Sequence, residues 1–366
     1  MHKKIWFKIH LYLGLTAGVI LMIIGVSGAL LSFEKEILWL VNKDSYVVQV
    51  SGKKLSEKEI IDNFKSKFPK AKIQAMTINS DPSSSVLINI ASNAKGRAAR
   101  RGINYYINPY TSEVLPNVEG KNVFKFIENI HRRLVAGEVG KQITAASTLL
   151  LLVLIISGVL VYLPRLKRAF FKSFTFKFKH TGRSFLSTMH SALGMWVIPF
   201  FLLSTLTGLY WSYHWYADAL HAMTGVEQRA HKKPEMNNNK SENNTSKVQN
   251  IFDLFKQNVT DYSSASLKLE GKKGIYTLNY LKKEPLHYRA RNEISINLKE
   301  NKVVKHEEFS KKPLEEKLMK SILPLHTGEY FGRTGQILMF IASSSMALFT
   351  ITGFMMYFQR RKKQKK

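Results

Sequence analysis

The stretches "HLYLGLTAGVILMIIGVSG", His10 to Gly28, and "HSALGMWVIPFFLLSTLTG", His190 to Gly208, carry one pattern. Each begins His-x-x-Leu-Gly and ends, 18 positions after the histidine, on a hydroxyl residue followed by glycine: Ser27-Gly28 and Thr207-Gly208. A second pattern lies between them and repeats after them. His131 precedes Ser157-Gly158 by 27 positions, and His326 precedes Thr352-Gly353 by the same 27. "HRRLVAGEVG" and "HTGEYFGRTG" also share His-x5-Gly-x2-Gly. The chain is therefore two halves related by duplication.

These patterns sit on four apolar blocks. Leu11–Phe33, Ile143–Leu163, Ser191–Tyr213 and Ile337–Phe358 run for 23, 21, 23 and 22 residues without a Lys, Arg, Asp, Glu or His. About 20 such residues cross a hydrocarbon core of about 30 Å as a helix. The expected fold is an α-helical integral membrane protein of four spans, at 9–33, 142–164, 186–213 and 335–358. The first block is too long for a signal peptide and lacks a small-residue cleavage site. Trp6, Trp39, Trp211, Trp215 and Tyr162 flank the blocks, as amphipathic rings do at headgroup depth.

Charge sets the expected orientation. Met1–Lys8, the linker 165–185 and the tail 359–366 carry 16 of the 55 basic residues and no acidic one. All 26 acidic residues fall between Glu34 and Glu138 or between Asp218 and Glu329. Short basic segments stay inside, so both termini face the cytoplasm and the two long segments, 34–130 and 214–334, are exported. The net charge of +29 does not call for nucleic acid, because the anionic inner leaflet accounts for the topology residues. The exported remainder, 39 basic against 26 acidic, would draw an anionic small molecule or surface, or be merely solvated. With no cysteine, disulfides, thiolate iron–sulfur ligation and Cys-x-x-Cys-His haem attachment are excluded.

Each exported segment has the pattern of a small α+β module. "SEKE", Ser56 to Glu59, has the form of a capping box, followed by strand-like "KIQAMTI", "SVLINI" and "INYYI". "IFDLFKQNV" reads as a helix, followed by "SLKLE", "IYTLNYL" and "EISINL". Both modules close on a strand, a turn and a strand, "INPYTSEVL" and "INLKENKVV". Two separate modules are expected, the second preceded by a polar linker at 232–247.

With this topology His10 and His190 stand at the cytoplasmic lip, and His131 and His326 start on the outer side. Twenty-seven residues of unbroken helix rise about 40 Å, which would leave the outer pair up to about 10 Å beyond the hydrocarbon unless Gly137, Gly140, Gly332 and Gly335 bend the chain. One imidazole from each of two related helices, on each side of a membrane, suits two haem b groups, each with two axial ligands. His10, Gly14 and Gly18 fall on one helix face, and Gly194 repeats Gly14 after His190, leaving a bare groove where a porphyrin could lie or where helices pack. Arg132, Arg133 and Arg333 outside, with Lys8 or Arg183 inside, could meet haem propionates or simply snorkel. Zinc is the alternative metal, although its sites gather three or four ligands. His214 and His221 could line a substrate mouth. His2, His180, His231, His287 and His306 have no partner at telling spacing.

"SGALLSF", "SGVLVYLPR", "LHTGEYFGRTG" and "TGFMMYFQRR", together with His-x-x-Leu-Gly, resemble the PepSY-associated transmembrane family over nearly the whole chain. Ser191, where His-Arg is the commoner pair, departs from it and weakens a propionate role there. The resemblance implies a bacterial inner-membrane protein with two periplasmic PepSY-like domains, often tied to iron acquisition. Some relatives are viewed as haem-containing reductases of ferric siderophores. His10, His131, His190 and His326 match the family's helix-lip histidines. The expected function is a di-haem b oxidoreductase passing electrons from the cytoplasm to a ferric siderophore or similar anionic chelate. No Gly-x-Gly-x-x-Gly follows a strand, so the donor would be quinol or a separate cytoplasmic reductase. The alternative is a membrane-anchored binding or regulatory protein acting on a peptidase or transporter.

Overall fold

The computed structural model describes residues 2–92, 101–226, 247–271 and 274–364. The chain divides into two compact units. One comprises Met1–Glu34, Gly120–Gln228 and Ser321–Lys366; the other comprises Lys35–Glu119 and Arg229–Lys320.

The first unit is built on four long helices: α1 (His2–Leu31), α6 (Gly137–Arg168), α7 (Gly182–Ser212) and α11 (Gly332–Gln364). All four are long and apolar enough to cross a membrane. They form a closed ring of neighbours in which α1 touches α6 and α11, and α7 touches the same two. The helices that open on His10 and His190 are thus diagonal partners. Their shared core holds Ala17, Leu21, Leu154, Ile155, Val197, Phe201, Ala342 and Met346. Close approach of α1 and α11 depends on Gly25: a Cβ there would lie 2.6 Å from Met346 Cβ and 2.7 Å from the Ser343 carbonyl. Small residues at such crossings let backbones approach where lipid offers no hydrophobic drive.

Two shorter helices and the second half of a third belong to this unit. α5 (Lys121–Arg133) leads into α6, α10 (Leu314–Thr327) runs from the second unit towards α11, and α8 (His214–Thr224) follows α7. The segment 121–130, expected within an exported domain, is therefore part of the helical unit.

The second unit holds α2 (Glu34–Val41), almost all of which lies in it, α3 (Lys43–Tyr46), α4 (Glu57–Lys67), α9 (Val248–Asn258) and seven strands. The strands are β1 (Ile73–Asn79), β2 (Val86–Ile90), β3 (Ile103–Ile107), β4 (Ser264–Lys268), β5 (Ile275–Leu281), β6 (Asn292–Asn297) and β7 (Lys302–Glu307). Ser56 caps α4 as its sequence foretells: Ser56 Oγ accepts from the Glu59 amide at 3.2 Å and Glu59 Oε2 accepts from the Ser56 amide at 2.7 Å. All but Lys247 of the polar linker 232–247 lies outside the described residues.

The expectation of two separate modules needs correction. The seven strands make one antiparallel sheet in the order β3-β2-β1-β4-β5-β6-β7. The seam is β1 against β4, with Thr77 opposite Ser266 and their hydroxyls 2.9 Å apart. Three strands alone would leave β1 as an unpaired edge, and pairing it with its duplicate satisfies both rows of backbone groups. Ile60, Ile61 and Phe64 of α4 and Ile251, Phe252 and Phe255 of α9 then share one core with Met76, Leu267 and Leu278. Full burial of each such side chain contributes about 1.5–3 kcal/mol. The duplication persists in detail: Ser112 and Asn301, equivalent in the two closing turns, both adopt left-handed backbone.

Candidate cofactor site

The 27-residue spacing is not one helix. α5 ends at Arg133, Leu134 and Val135 take left-handed conformations, and α6 starts at Gly137 with φ of 59°. The chain folds back so tightly that a Cβ on Gly140 would collide with the Arg133 carbonyl. In the second half Gly328, a 3-10 turn at Glu329–Phe331 and Gly332 make the equivalent break, with φ of 81° and 65° at the two glycines. These breaks return His131 and His326 to the level of the span ends, as the glycine pairs suggest, instead of leaving them beyond it.

Each histidine then meets a socket on the neighbouring helix of its own half. His10 Nδ1 lies 3.0 Å from the Leu154 carbonyl and 3.1 Å from Ser157 Oγ on α6. His131 Nδ1 lies 2.9 Å from the Ile24 carbonyl and 3.3 Å from Ser27 Oγ on α1. His326 Nδ1 lies 3.1 Å from the Ser204 carbonyl and 2.9 Å from Thr207 Oγ1 on α7. His190 Nδ1 lies 2.8 Å from Thr352 Oγ1 on α11. The hydroxyl-glycine motif that closes one long helix thus receives the other histidine of the same half.

In three of the four motifs the glycine makes room for the ring. A Cβ on Gly28 would sit 3.0 Å from His131 Cε1, on Gly158 3.1 Å from His10 Cε1, and on Gly208 3.4 Å from His326 Cε1. The hydrogen bonds also fix the tautomer. A carbonyl only accepts, so Nδ1 carries the proton in His10, His131 and His326. Thr352 Oγ1 donates to the Leu348 carbonyl at 2.7 Å, so it accepts from His190 in turn. Every Nε2 is left with a free lone pair, the state in which imidazole binds a metal.

The rings pair across the two halves. His10 and His190 have centres 6.3 Å apart and planes at 83°; His131 and His326 have centres 6.3 Å apart and planes at 65°. Two imidazoles on opposite sides of one metal ion, with metal–nitrogen bonds of about 2.0 Å and each nitrogen about 1.15 Å from its ring centre, have centres about 6.3 Å apart. Both pairs fit that spacing. Among the described residues no three His, Asp or Glu side chains gather around a common point. Each site therefore offers two donors, which suits an ion whose other positions a macrocycle fills better than a tetrahedral one.

Space for such a group lies beside the His10–His190 pair. A cavity of about 310 Å³ is lined by His10 and His190 together with Gly14, Gly18, Gly158, Gly194 and Gly353. That volume is within the range of small-molecule sites. A Cβ on Gly14 would meet nothing nearer than Leu154 Cδ2 at 3.9 Å, and one on Gly194 nothing nearer than Phe349 Cε1 at 3.9 Å, so both glycines border open space. Arg183 and Arg360 line the same cavity. Arg360 was not singled out from the sequence, where it is one of six cations in a basic tail. At the His131–His326 pair the Trp211 ring stands 5.5 Å from His326.

Arg132, Arg133 and Arg333 are placed differently. Arg132 Nη1 holds Glu128 Oε1 at 2.8 Å on its own helix, Arg133 lies 3.5 Å from Glu138, and Arg333 is exposed in the first turn of α11. Of the remaining histidines, His221 bonds the Tyr210 hydroxyl at 3.3 Å and the Val226 carbonyl at 2.9 Å, closing the end of α8. His214 is exposed at the start of that helix. His306 bonds the Tyr280 hydroxyl at 2.7 Å and His287 accepts from the Arg289 amide at 3.2 Å, both within the sheet unit.

No protein of curated function matches the chain. The profile described as "PepSY-associated TM region" matches residues 7–360, and the chain belongs to that family.

Proposed function

We propose that the protein is a transmembrane di-haem b oxidoreductase of a bacterial inner membrane, which delivers electrons from the cytoplasmic side to a ferric siderophore or similar anionic chelate outside. The observation that carries this reading is the 6.3 Å separation of ring centres in both histidine pairs, with all four Nδ1 atoms already hydrogen-bonded. Haem b held at each pair would supply a one-electron ferric–ferrous couple.

The chain's own residues do the rest. His10 and His190 present Nε2 from diagonal helices, and the sockets on α6 and α11 hold the rings in orientation. Gly14 and Gly194 keep the groove beside them bare. Arg183 and Arg360 are cations at the same cavity, suited to bidentate pairing with carboxylates. Along α1 the inner and outer levels, His10 and Ser27, are about 26 Å apart, close to the thickness of a bilayer core. The basic surplus of the exported segments favours an anionic acceptor, and reduction loosens a chelate whose hard oxygen ligands prefer ferric iron.

The test is a mixing experiment. Protein purified from haem-replete cells, reduced with dithionite and freed of excess reductant, is mixed with a ferric hydroxamate. Rapid loss of a reduced low-spin α-band, with ferrous iron captured by ferrozine, is expected. A stable reduced spectrum, or no haem spectrum at all, overturns the reading. The second reading, a binding or regulatory protein, draws on the continuous sheet, whose face opposite α4 and α9 carries polar Thr77, Ser266 and Asn279. It requires His10→Ala and His190→Ala to leave function intact.

A further inference from the structure

The segment between α6 and α7 alternates aromatics and cations: "RLKRAFFKSFTFKFKHTGR", Arg165 to Arg183, has five phenylalanines, seven Lys or Arg, and no acidic residue. It does not hang free below the helices. Tyr162 donates to the Ser173 carbonyl at 3.1 Å, Ser173 is fully buried, and Trp196 Nε1 donates to the Phe174 carbonyl at 3.0 Å. The Phe174 ring packs on Trp196 with centres 5.4 Å apart.

Those anchors fix depth. The charge-free run of α7 starts at Ser191, and Trp196 lies five residues, or about 7.5 Å, further along. The 3-10 turn Phe171–Phe174 is thus tied to a point inside the span, at the depth where amphipathic segments bury their apolar face. Phe171 is nevertheless 84% exposed and Phe178 82%. Phe170 and Trp196 are also exposed. Phe171 meets the Phe170 ring and Phe178 the rings of Phe176 and Phe185, and the broad faces these contacts leave open have lipid as their neighbour. Lys172, Lys177 and Lys179 alternate with the rings and end in cations that reach back to the headgroups.

We propose that residues 165–183 form a binding site for anionic phospholipid, with Phe171 and Phe178 among the acyl chains of one leaflet and Lys172, Lys177 and Lys179 on the lipid phosphates. Charge complementarity selects anionic over zwitterionic lipid. The inference rests on the four spans and stands whether or not the histidines hold haem.

The chain has no cysteine, so a single Phe171→Cys or Phe178→Cys substitution gives a unique nitroxide site. Full-length protein is placed in nanodiscs containing phosphatidylglycerol. Both labels are expected to collide more with dissolved oxygen than with a water-soluble nickel chelate. Native mass spectrometry of the unlabelled protein should show phosphatidylglycerol retained over phosphatidylcholine, with the preference falling at least about tenfold in the Lys172→Gln, Lys177→Gln, Lys179→Gln variant. Labels that report water, or a lipid preference equal in wild type and variant, overturn the proposal. So does a variant that keeps its lipid preference and loses instead the capture of a soluble protein, which would make the segment a protein-docking loop.

Discussion

Thr352 Oγ1 lies 2.8 Å from His190 Nδ1 and donates its own proton to the Leu348 carbonyl, so one hydroxyl on α11 orients the histidine of α7. Thr352→Val keeps the shape and removes the acceptor. A buried donor left unpaired costs about 1–3 kcal/mol. Loss of a hydrogen bond behind a metal-bound imidazole typically weakens metal retention about 10- to 100-fold. Haem titration of the apoprotein should show that loss at one site, with a shifted midpoint potential there and the other site unchanged.

The sockets are crossed, and so are their expected effects. Ser27 belongs to the helix that opens on His10, yet its hydroxyl faces His131. Gly28→Ala would push a Cβ to 3.0 Å from His131 Cε1, and Gly158→Ala would do the same to His10 at 3.1 Å. Resonance Raman or electron paramagnetic resonance should find Gly28→Ala disturbing only the outer site and Gly158→Ala only the inner one. The reverse assignment would contradict the pairing of sockets and rings.

Gly25→Ala addresses packing alone. The new Cβ would meet Met346 Cβ at 2.6 Å and the Ser343 carbonyl at 2.7 Å, neither of which is the free end of a side chain. α1 and α11 must separate, at a cost of about 2 kcal/mol or more. Thermal unfolding in detergent should show a markedly lower midpoint, whereas Gly14→Ala, facing the cavity, should leave the midpoint near wild type.

In the sheet unit, Glu308 accepts from Lys282 and Lys311, each at 2.6 Å, and these bonds hold its carboxyl down at about 2. A carboxyl depressed in the folded state contributes stability that is fully present above its unfolded value near 4.3 and is lost as pH falls towards 2. Lys311 is exposed and Lys282 partly so, and the contribution is about 1 kcal/mol or less after screening. Glu308→Gln should remove that part of the acid dependence between pH 4.3 and 2, read by thermal unfolding across pH.

Much of this architecture is legible in the chain. The four spans, the duplication and the capping box at Ser56 follow from local pattern, because periodicity and spacing are local quantities. The glycine pairs near 137 and 332 point to the breaks that bring His131 and His326 back. What stayed hidden is what depends on contact between distant residues. Thr77 and Ser266 meet at the seam of a single sheet although 189 positions separate them, and nothing local distinguishes that from two modules. The sockets were hidden for a related reason: Ser27-Gly28 is read most simply as the end of its own helix, and only the bundle hands it to His131. Arg360 was hidden by neighbours of its own kind.

The most direct measurement is haem content by pyridine haemochrome, on protein from haem-replete cells, in wild type and in the His10→Ala and His131→Ala variants. The account predicts two haem b per chain with a low-spin bis-histidine spectrum, and one haem in either variant. Wild-type protein that is well folded by thermal unfolding yet carries no haem, or variants that keep both, would contradict it.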